Sequence, residues 1–193
     1  MIGAIAQRQE ERAAEIVAAA WDLARNQGIG GFSLRELARE LGIRQPSLYA
    51  HFDSKHALYD AMFADGNRRL IEHLDRLKLP SDPRAALKSF THQWADFALE
   101  DPARYSLLFQ RPIPGYEPSA EAYGYAQAAF GPVAGLLRSA GVVDPGDVDC
   151  CVAMVTGLME AQFANDPGGD RFIRHLDRLI DMYLDEIHQR SHQ

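Results

Sequence analysis

The chain has 193 residues, 47% of them hydrophobic and 24% charged, with a formal net charge of −7. That composition suits one or two small domains around a sizeable core, and no apolar run approaches the roughly 18 residues that span a bilayer. An acidic balance counts against a nucleic-acid partner, but here it is uneven. Through Lys55 there are seven basic and seven acidic residues, against 13 and 20 after it, so the excess lies wholly in the later part. The N-terminal run lacks a basic segment followed by an apolar core, so no signal peptide is expected. Cys150 and Cys151 are adjacent and cannot staple distant segments, which makes a reducing cytoplasm the natural compartment.

Helical spacing recurs throughout and strict alternation is absent, which predicts an all-α fold. A first helix is expected from about Gln7 to Gln27, with Ile16, Ala20, Leu23 and Ala24 as its apolar stripe and Gly28 as its stop. After a glycine-rich linker, Ser33-Leu-Arg-Glu36 has the capping-box pattern and opens a short helix to about Leu41. A third helix starts near Gln45, where Pro46 suits the first turn, and ends by Phe52. Asp53 or Ser54 caps a fourth helix to about Lys78. Pro80 and Pro83 then punctuate the chain. A fifth helix spans about Pro83 to Glu100 and a sixth runs from Asp101-Pro102 through Phe109. Gln110 to Pro118, with three prolines and a glycine, reads as a loop. The seventh helix, about Ser119 to Ser139, should bend at Gly131-Pro132. The eighth runs from about Pro145 to Asn165 and the ninth from about Gly169 to Gln189. Asp166-Pro-Gly-Gly between them reads as a turn, since it lacks the ligand register of a calcium loop.

Helices two and three have the dimensions of a helix-turn-helix, which lays its second helix in the major groove of DNA. Leu34, Leu37, Ala38, Leu41, Ile43 and Leu48 would lock the pair together. Outward would then face Arg35, Arg44, Gln45, Ser47, Tyr49, Ala50, His51 and Lys55, a set of donors and one aromatic ring without a carboxylate.

The run from Phe32-Ser-Leu-Arg-Glu to Tyr49-Ala-His-Phe-Asp-Ser-Lys-His-Ala-Leu58 resembles the DNA-binding signature of the TetR family of bacterial repressors. The resemblance covers residues 10 to about 60. It implies a nine-helix TetR-like architecture: a three-helix helix-turn-helix domain over 1–55, and a helical ligand-binding and dimerisation domain over 56–193. It further implies that Arg35 and Gln45 reach base edges, that Pro46 and Ser47 meet bases or thymine methyls, and that Tyr49, His51 and Lys55 hold phosphates. Arg44 joins the same DNA-facing set. The stretch Asp101-Pro-Ala-Arg-Tyr to Gly115 is similar to a C-terminal domain type common among actinobacterial members.

By that analogy the later domain would hold a pocket for an apolar or aromatic small molecule. Its candidate lining is Phe63, Phe90, Trp94, Phe97, Tyr105, Phe109, Tyr123, Gln127, Met154, Thr156, Leu158 and Phe163, although aromatics at helical spacing more often fill a core. Apolar stripes on helices eight and nine point to a homodimer closed by a four-helix bundle, with Cys151, Val155, Met159, Phe172, Leu176, Leu179 and Tyr183 at its interface. Such a dimer demands a palindromic operator on double-stranded DNA. An all-α enzyme is the rival reading, and a partner-binding protein with a decayed DNA surface is a third. No nucleophile motif, zinc motif or phosphate loop supports the enzyme, and Tyr49, His51 and Lys55 speak against the decayed surface. No cofactor and no metal are expected.

Overall fold

A computed structural model describes residues 2–191, with side chains for 6–190; Met1, where the reading of the N-terminus starts, lies outside the described residues. The described residues form nine α-helices and no strand: α1 (Ile2–Gln27), α2 (Leu34–Glu40), α3 (Gln45–Tyr49), α4 (Lys55–Leu74), α5 (Pro83–Glu100), α6 (Pro102–Phe109), α7 (Ala120–Ser139), α8 (Pro145–Asn165) and α9 (Leu176–Ser191). Among the described residues no helix is long and apolar enough to cross a membrane.

Short polar side chains set where most of these helices begin. At α2 the capping box forms in full: the Glu36 amide donates to Ser33 Oγ at 3.2 Å, and the Ser33 amide donates to Glu36 Oε2 at 2.8 Å. Hydrogen bonds to the carboxylate from the Ser33 hydroxyl, then from the Ser33 amide, hold the Glu36 carboxyl below the usual carboxylate range. Ser54 caps α4 by accepting from the Ala57 amide at 3.1 Å, and Asp82 caps α5 by accepting from Ala85 at 2.8 Å. Asp101, Ser119 and Asp144 do the same for α6, α7 and α8. Each such cap is worth about 1 kcal/mol, because it satisfies an amide that the helix itself cannot.

Three expected boundaries shift. The first helix begins at Ile2, five residues earlier than its apolar stripe suggests. The fourth ends at Leu74, where the Leu77 amide folds back on the Leu74 carbonyl at 3.1 Å. The ninth begins at Leu176 after a single 3-10 turn, Ile173–His175. Its delay comes from Gln162, fully buried on α8. The Gln162 side-chain oxygen accepts from the amides of Phe172 and Ile173, and its nitrogen donates to the carbonyls of Asp166 and Gly169. The connection therefore wraps around one amide side chain before it can turn helical. Pro132 does not interrupt α7, which continues through it to Ser139.

The chain forms two compact units. The first runs through Arg69 and adds Asp101–Ala126; the second is Leu70–Glu100 with the residues from Gln127 on. The expected division at 55/56 falls inside the first unit, because α6 and the first turns of α7 pack with the N-terminal helices. That unit has a core of Ile16, Ala20, Trp21, Phe32, Leu37, Leu48, Leu58, Tyr59 and Met62, joined by Leu107 from α6 and Ala122 from α7. A Cβ added at Gly66 of α4 would lie 3.0 Å from the Leu108 side chain, which shows how closely α4 and α6 approach.

In the second unit α5 lies along α9, with Leu87, Phe90, Leu176, Ile180 and Leu184 buried. Three rungs edge this contact: Arg84 with Asp181 and Asp185 at 2.9 and 2.5 Å, Lys88 with Asp181 at 2.7 Å, and His92 with Asp177 at 2.7 Å. The basic partners stand four residues apart on α5 and the acidic partners four apart on α9. Both rows are therefore single helix faces that meet in register.

Candidate nucleic-acid interface

The candidate interface rests on two apolar contacts and one cap. Leu37 and Ala38 of α2 and Leu48 of α3 are at most 3% exposed, so both helices are seated in the core of their unit. Gly42, with φ of +64°, makes the turn between them, a backbone region that side chains with a Cβ rarely enter. The Ile43 amide then donates back to the Ala38 carbonyl at 2.9 Å, closing the end of α2. Arg44 is the extended residue before α3, and Pro46 occupies its first turn, where a missing amide proton costs nothing.

This scaffold turns the predicted residues outward. Arg35, Arg44, Pro46, Ser47 and Tyr49 are exposed, and Gln45 and His51 are partly so. Tyr49 has 45% of its surface open, so it is no core-edge aromatic. Among the described residues, the side chains of Arg35, Arg44, Gln45, Ser47 and Tyr49 take no hydrogen bond or ion pair, which leaves their donors uncommitted. Lys55 is different. Its ammonium donates to the Phe32 carbonyl at 2.5 Å and the Gly30 carbonyl at 3.4 Å, and it lies 4.8 Å from the Phe32 ring and 5.2 Å from the Tyr59 ring. In the absence of DNA this side chain folds back on the α1–α2 linker, whose carbonyls have no regular helix to satisfy them.

Sequence reasoning missed a second tether in the same unit. Asp60 on α4 accepts from the Ser119 amide at 2.7 Å, from the Ser119 hydroxyl at 2.6 Å and from the Tyr116 hydroxyl at 3.4 Å. The first turn of α7 is thereby capped from α4 as well as from its own serine. Burial, with Asp60 beside it, pushes the Tyr116 hydroxyl well above its ordinary value. A serine just before a helical stretch signals a cap, but nothing in the sequence names a carboxylate 59 residues away. In the same unit, Arg25 of α1 pairs at 2.8 Å with Asp101, which is 4% exposed and caps α6.

The pocket candidates divide between the units. Phe63 and Tyr105 are buried in the first, where Phe109 and Tyr123 are 38% and 53% exposed. Phe90 and Phe97 are buried in the second, with Trp94, Met154, Thr156, Leu158 and Phe163 partly exposed and Gln127 exposed. The Thr156 hydroxyl donates to the Val152 carbonyl at 2.7 Å, so it is spent on its own helix. An open cleft of about 340 Å³ in the second unit is lined by Asp82, Pro83, Arg84, Ser139, Ala140, Gly141, Leu184 and His188, none of them a predicted pocket residue.

Five of the seven residues expected between copies face inward instead. Cys151, Val155, Met159, Leu176 and Tyr183 are at most 9% exposed and fill the core of the chain's own second unit. Burial pushes the Cys151 thiol up to about 11, so it remains a protonated apolar filler. The Tyr183 hydroxyl donates to the Asp147 carbonyl at 2.7 Å, which binds α9 to the start of α8. Phe172 and Leu179 keep partial exposure, and the apolar surface that α8 and α9 leave open includes Val152 at 40% and Met182 at 60%.

A capped helix pair presenting uncommitted donors from a rigid helical unit defines a helix-turn-helix protein. Residues 16–62 match the model of bacterial regulatory proteins of the tetR family, and residues 87–187 match that of the tetracyclin repressor-like C-terminal domain. The chain belongs to the TetR family, whose members are transcriptional regulators and not enzymes. It is 31% identical over 90 residues to the uncharacterized HTH-type transcriptional regulator YobS of Bacillus subtilis, a match covering 47% of each chain. It thus spans about half the length of the curated relatives it matches. Two solved structures share the fold. The complex of BioQ with its double-stranded DNA operator has a TM-score of 0.62 at 21% identity, over 90% of this chain and 98% of that one. A point variant of TetR from Acinetobacter baumannii, in complex with minocycline, has a TM-score of 0.59 at 21% identity, over 90% and 94%.

Proposed function

We propose that this chain is a cytoplasmic transcriptional repressor that grips a palindromic operator as a homodimer and releases it when an apolar or aromatic small molecule binds. The observation that carries the reading is the outward face of α2 and α3. Arg35, Arg44, Gln45, Ser47 and Tyr49 offer donors that no neighbour consumes, on helices held by Leu37 and Leu48. Guanidinium and amide groups on such a face read guanine and adenine edges, while hydroxyls and further cations hold phosphates. BioQ with its operator and TetR with minocycline support both halves of the reading by analogy. Two copies would meet over the open side of α8 and α9, around Val152, Leu179 and Met182. Their reading helices would then lie about 34–36 Å apart, one turn of DNA.

A gel shift on the DNA upstream of the chain's own gene tests this. The expected result is a single complex with two protein copies, whose affinity falls steeply with salt. Gln45→Ala should relax preference at particular base pairs by roughly 1–3 kcal/mol each. Equal binding to the upstream fragment and to arbitrary DNA, unchanged by Gln45→Ala and Arg44→Ala, would overturn the assignment.

A further inference from the structure

We infer that Asp60 is a positioning residue for DNA binding: from α4 it latches the α6–α7 connection, and through that latch the connection sets where the reading helices stand. This rests on the DNA-binding reading above. Three donors of one short segment converge on the Asp60 carboxylate: the Ser119 amide at 2.7 Å, the Ser119 hydroxyl at 2.6 Å and the Tyr116 hydroxyl at 3.4 Å. Pro112, Pro114 and Pro118 remove amide donors from this connection, so it cannot fold into a helix that would fix its own position. Nor does α7 need Asp60 in order to start, since Ser119 already caps it by accepting from the Ala122 amide at 3.1 Å. The bonds to Asp60 are additional, and what they add is a tie to α4.

From the latch a continuous stack of rings leads to the reading helices. The Tyr116 ring lies 5.8 Å from that of Tyr59, which meets the Phe32 ring edge-on at 6.2 Å. The Tyr59 hydroxyl donates to the Ile29 carbonyl at 3.0 Å. Ile29 and Phe32 belong to the α1–α2 linker, which ends at Ser33, the cap of α2. Leu37 and Ala38 of α2 and Leu48 of α3 share one core with Phe32 and Tyr59. The joint between linker and α2 is therefore reached from the connection through packed side chains alone, the kind of contiguous contact that can carry coupling. Farther along, Arg68 of α4 lies over the Tyr125 ring of α7 at 5.7 Å, so the two helices stay in touch beyond the latch. With the latch open, the first turns of α4 and the joint gain freedom that DNA binding must remove again, and the cost appears as lost affinity.

Asp60→Ala removes the latch together with one charge, whereas Ser119→Ala combined with Tyr116→Phe removes both hydroxyl donors and no charge. Binding is measured on a duplex that the wild-type protein selects from random sequence, at a temperature where every variant is fully folded. Both changes should weaken binding roughly tenfold or more and keep the wild-type salt slope, because neither removes a phosphate contact. All three substitutions together should lose no more than Asp60→Ala alone, since they cut the same bonds. Without DNA, Asp60→Ala should speed hydrogen exchange roughly tenfold in residues 29–36 as well as in 116–123, and leave α9 unchanged. Were Asp60 only one more negative charge near the phosphates, its loss would tighten binding, and that result would overturn the inference. So would unchanged affinity in both variants, losses that simply add, or faster exchange confined to residues 116–123. If no duplex is selected, the DNA reading fails instead, and exchange in residues 29–36 still decides whether the latch reaches the linker.

Discussion

Both units pin side chains into backbone, and the second adds a three-rung ladder of ion pairs between two helices. In the first, single side chains reach from one element to the backbone or cap of another: Tyr59 to the Ile29 carbonyl, Lys55 to Phe32, Asp60 to Ser119. In the second, a row of three bases on α5 faces a row of three acids on α9 over an apolar seam. A pin into the backbone fixes one geometry, because carbonyls and amides cannot slide. A ladder of flexible charged side chains tolerates small displacements at little cost, and its strength depends on salt and pH. Gln162 and Tyr183 pin the second unit in the same way, so the ladder along α5 and α9 is what sets that unit apart.

The sharpest way to break the comparison is to empty the first core. Leu37 is fully buried between α2 and its neighbours. Leu37→Ala should cost about 2–5 kcal/mol through lost burial and the cavity left behind. If each unit folds on its own, thermal unfolding of this variant should split into two transitions, the earlier one followed by Trp21 fluorescence. A single cooperative transition shifted as a whole would show that the second unit cannot stand without the first.

A smaller change aims at the joint alone. Ser33→Ala removes the capping-box oxygen, and typical losses are about 1 kcal/mol. The effect on DNA affinity should exceed that on global stability, since the first turn of α2 frays where the linker enters it. Equal losses in both would mean that the cap serves the fold and not the reading face. Gly169→Ala makes the matching cut in the second unit, for its Cβ would fall 2.1 Å from the Asp166 carboxylate inside the Gln162-centred turn. That variant should lower stability by an amount similar to a lost cap while DNA affinity stays as it was.

How far the sequence alone reached follows the same division. Local signals were legible: Ser33 with Glu36, Pro46 in a first turn, Gly42 at a helix end, and the periodic apolar residues that became buried cores. Non-local side-chain choices were not. Lys55 looks from its spacing like one more outward cation, and only the fold brings Phe32 and Tyr59 around it. Cys151, Val155, Met159, Leu176 and Tyr183 follow helical spacing on α8 and α9, but periodicity cannot say whether a stripe meets its own chain or a second copy. Here it meets its own. Gln162 continues the spacing of Cys151, Val155 and Met159 on α8, yet it is a polar hub whose partners lie up to 11 residues ahead, beyond any local pattern.

The smallest expected effect belongs to the ladder, and it carries a sign that can be checked. Hydrogen bonding from Lys88, then from Arg84, holds the Asp181 carboxyl below its ordinary value of 3.8 in the folded chain. A carboxyl whose folded pKa is depressed adds stability that is fully present above its unfolded value and is lost as pH falls through the folded one. Asp181 keeps 40% of its side chain open, so solvent screening limits the gain to about 1 kcal/mol or less. Urea midpoints of wild type and Asp181→Asn should therefore differ slightly at pH 6 and converge as pH drops below about 4. High salt should close the same gap at pH 6 while leaving the linker exchange of the first unit untouched, because pins into carbonyls are screened far less than exposed ion pairs. Identical midpoints at pH 6 in low salt would show that the ladder orders α5 and α9 without stabilising them. A gap that widened towards acid would mean that the carboxyl titrates above its ordinary value, and that neither Lys88 nor Arg84 engages it in solution.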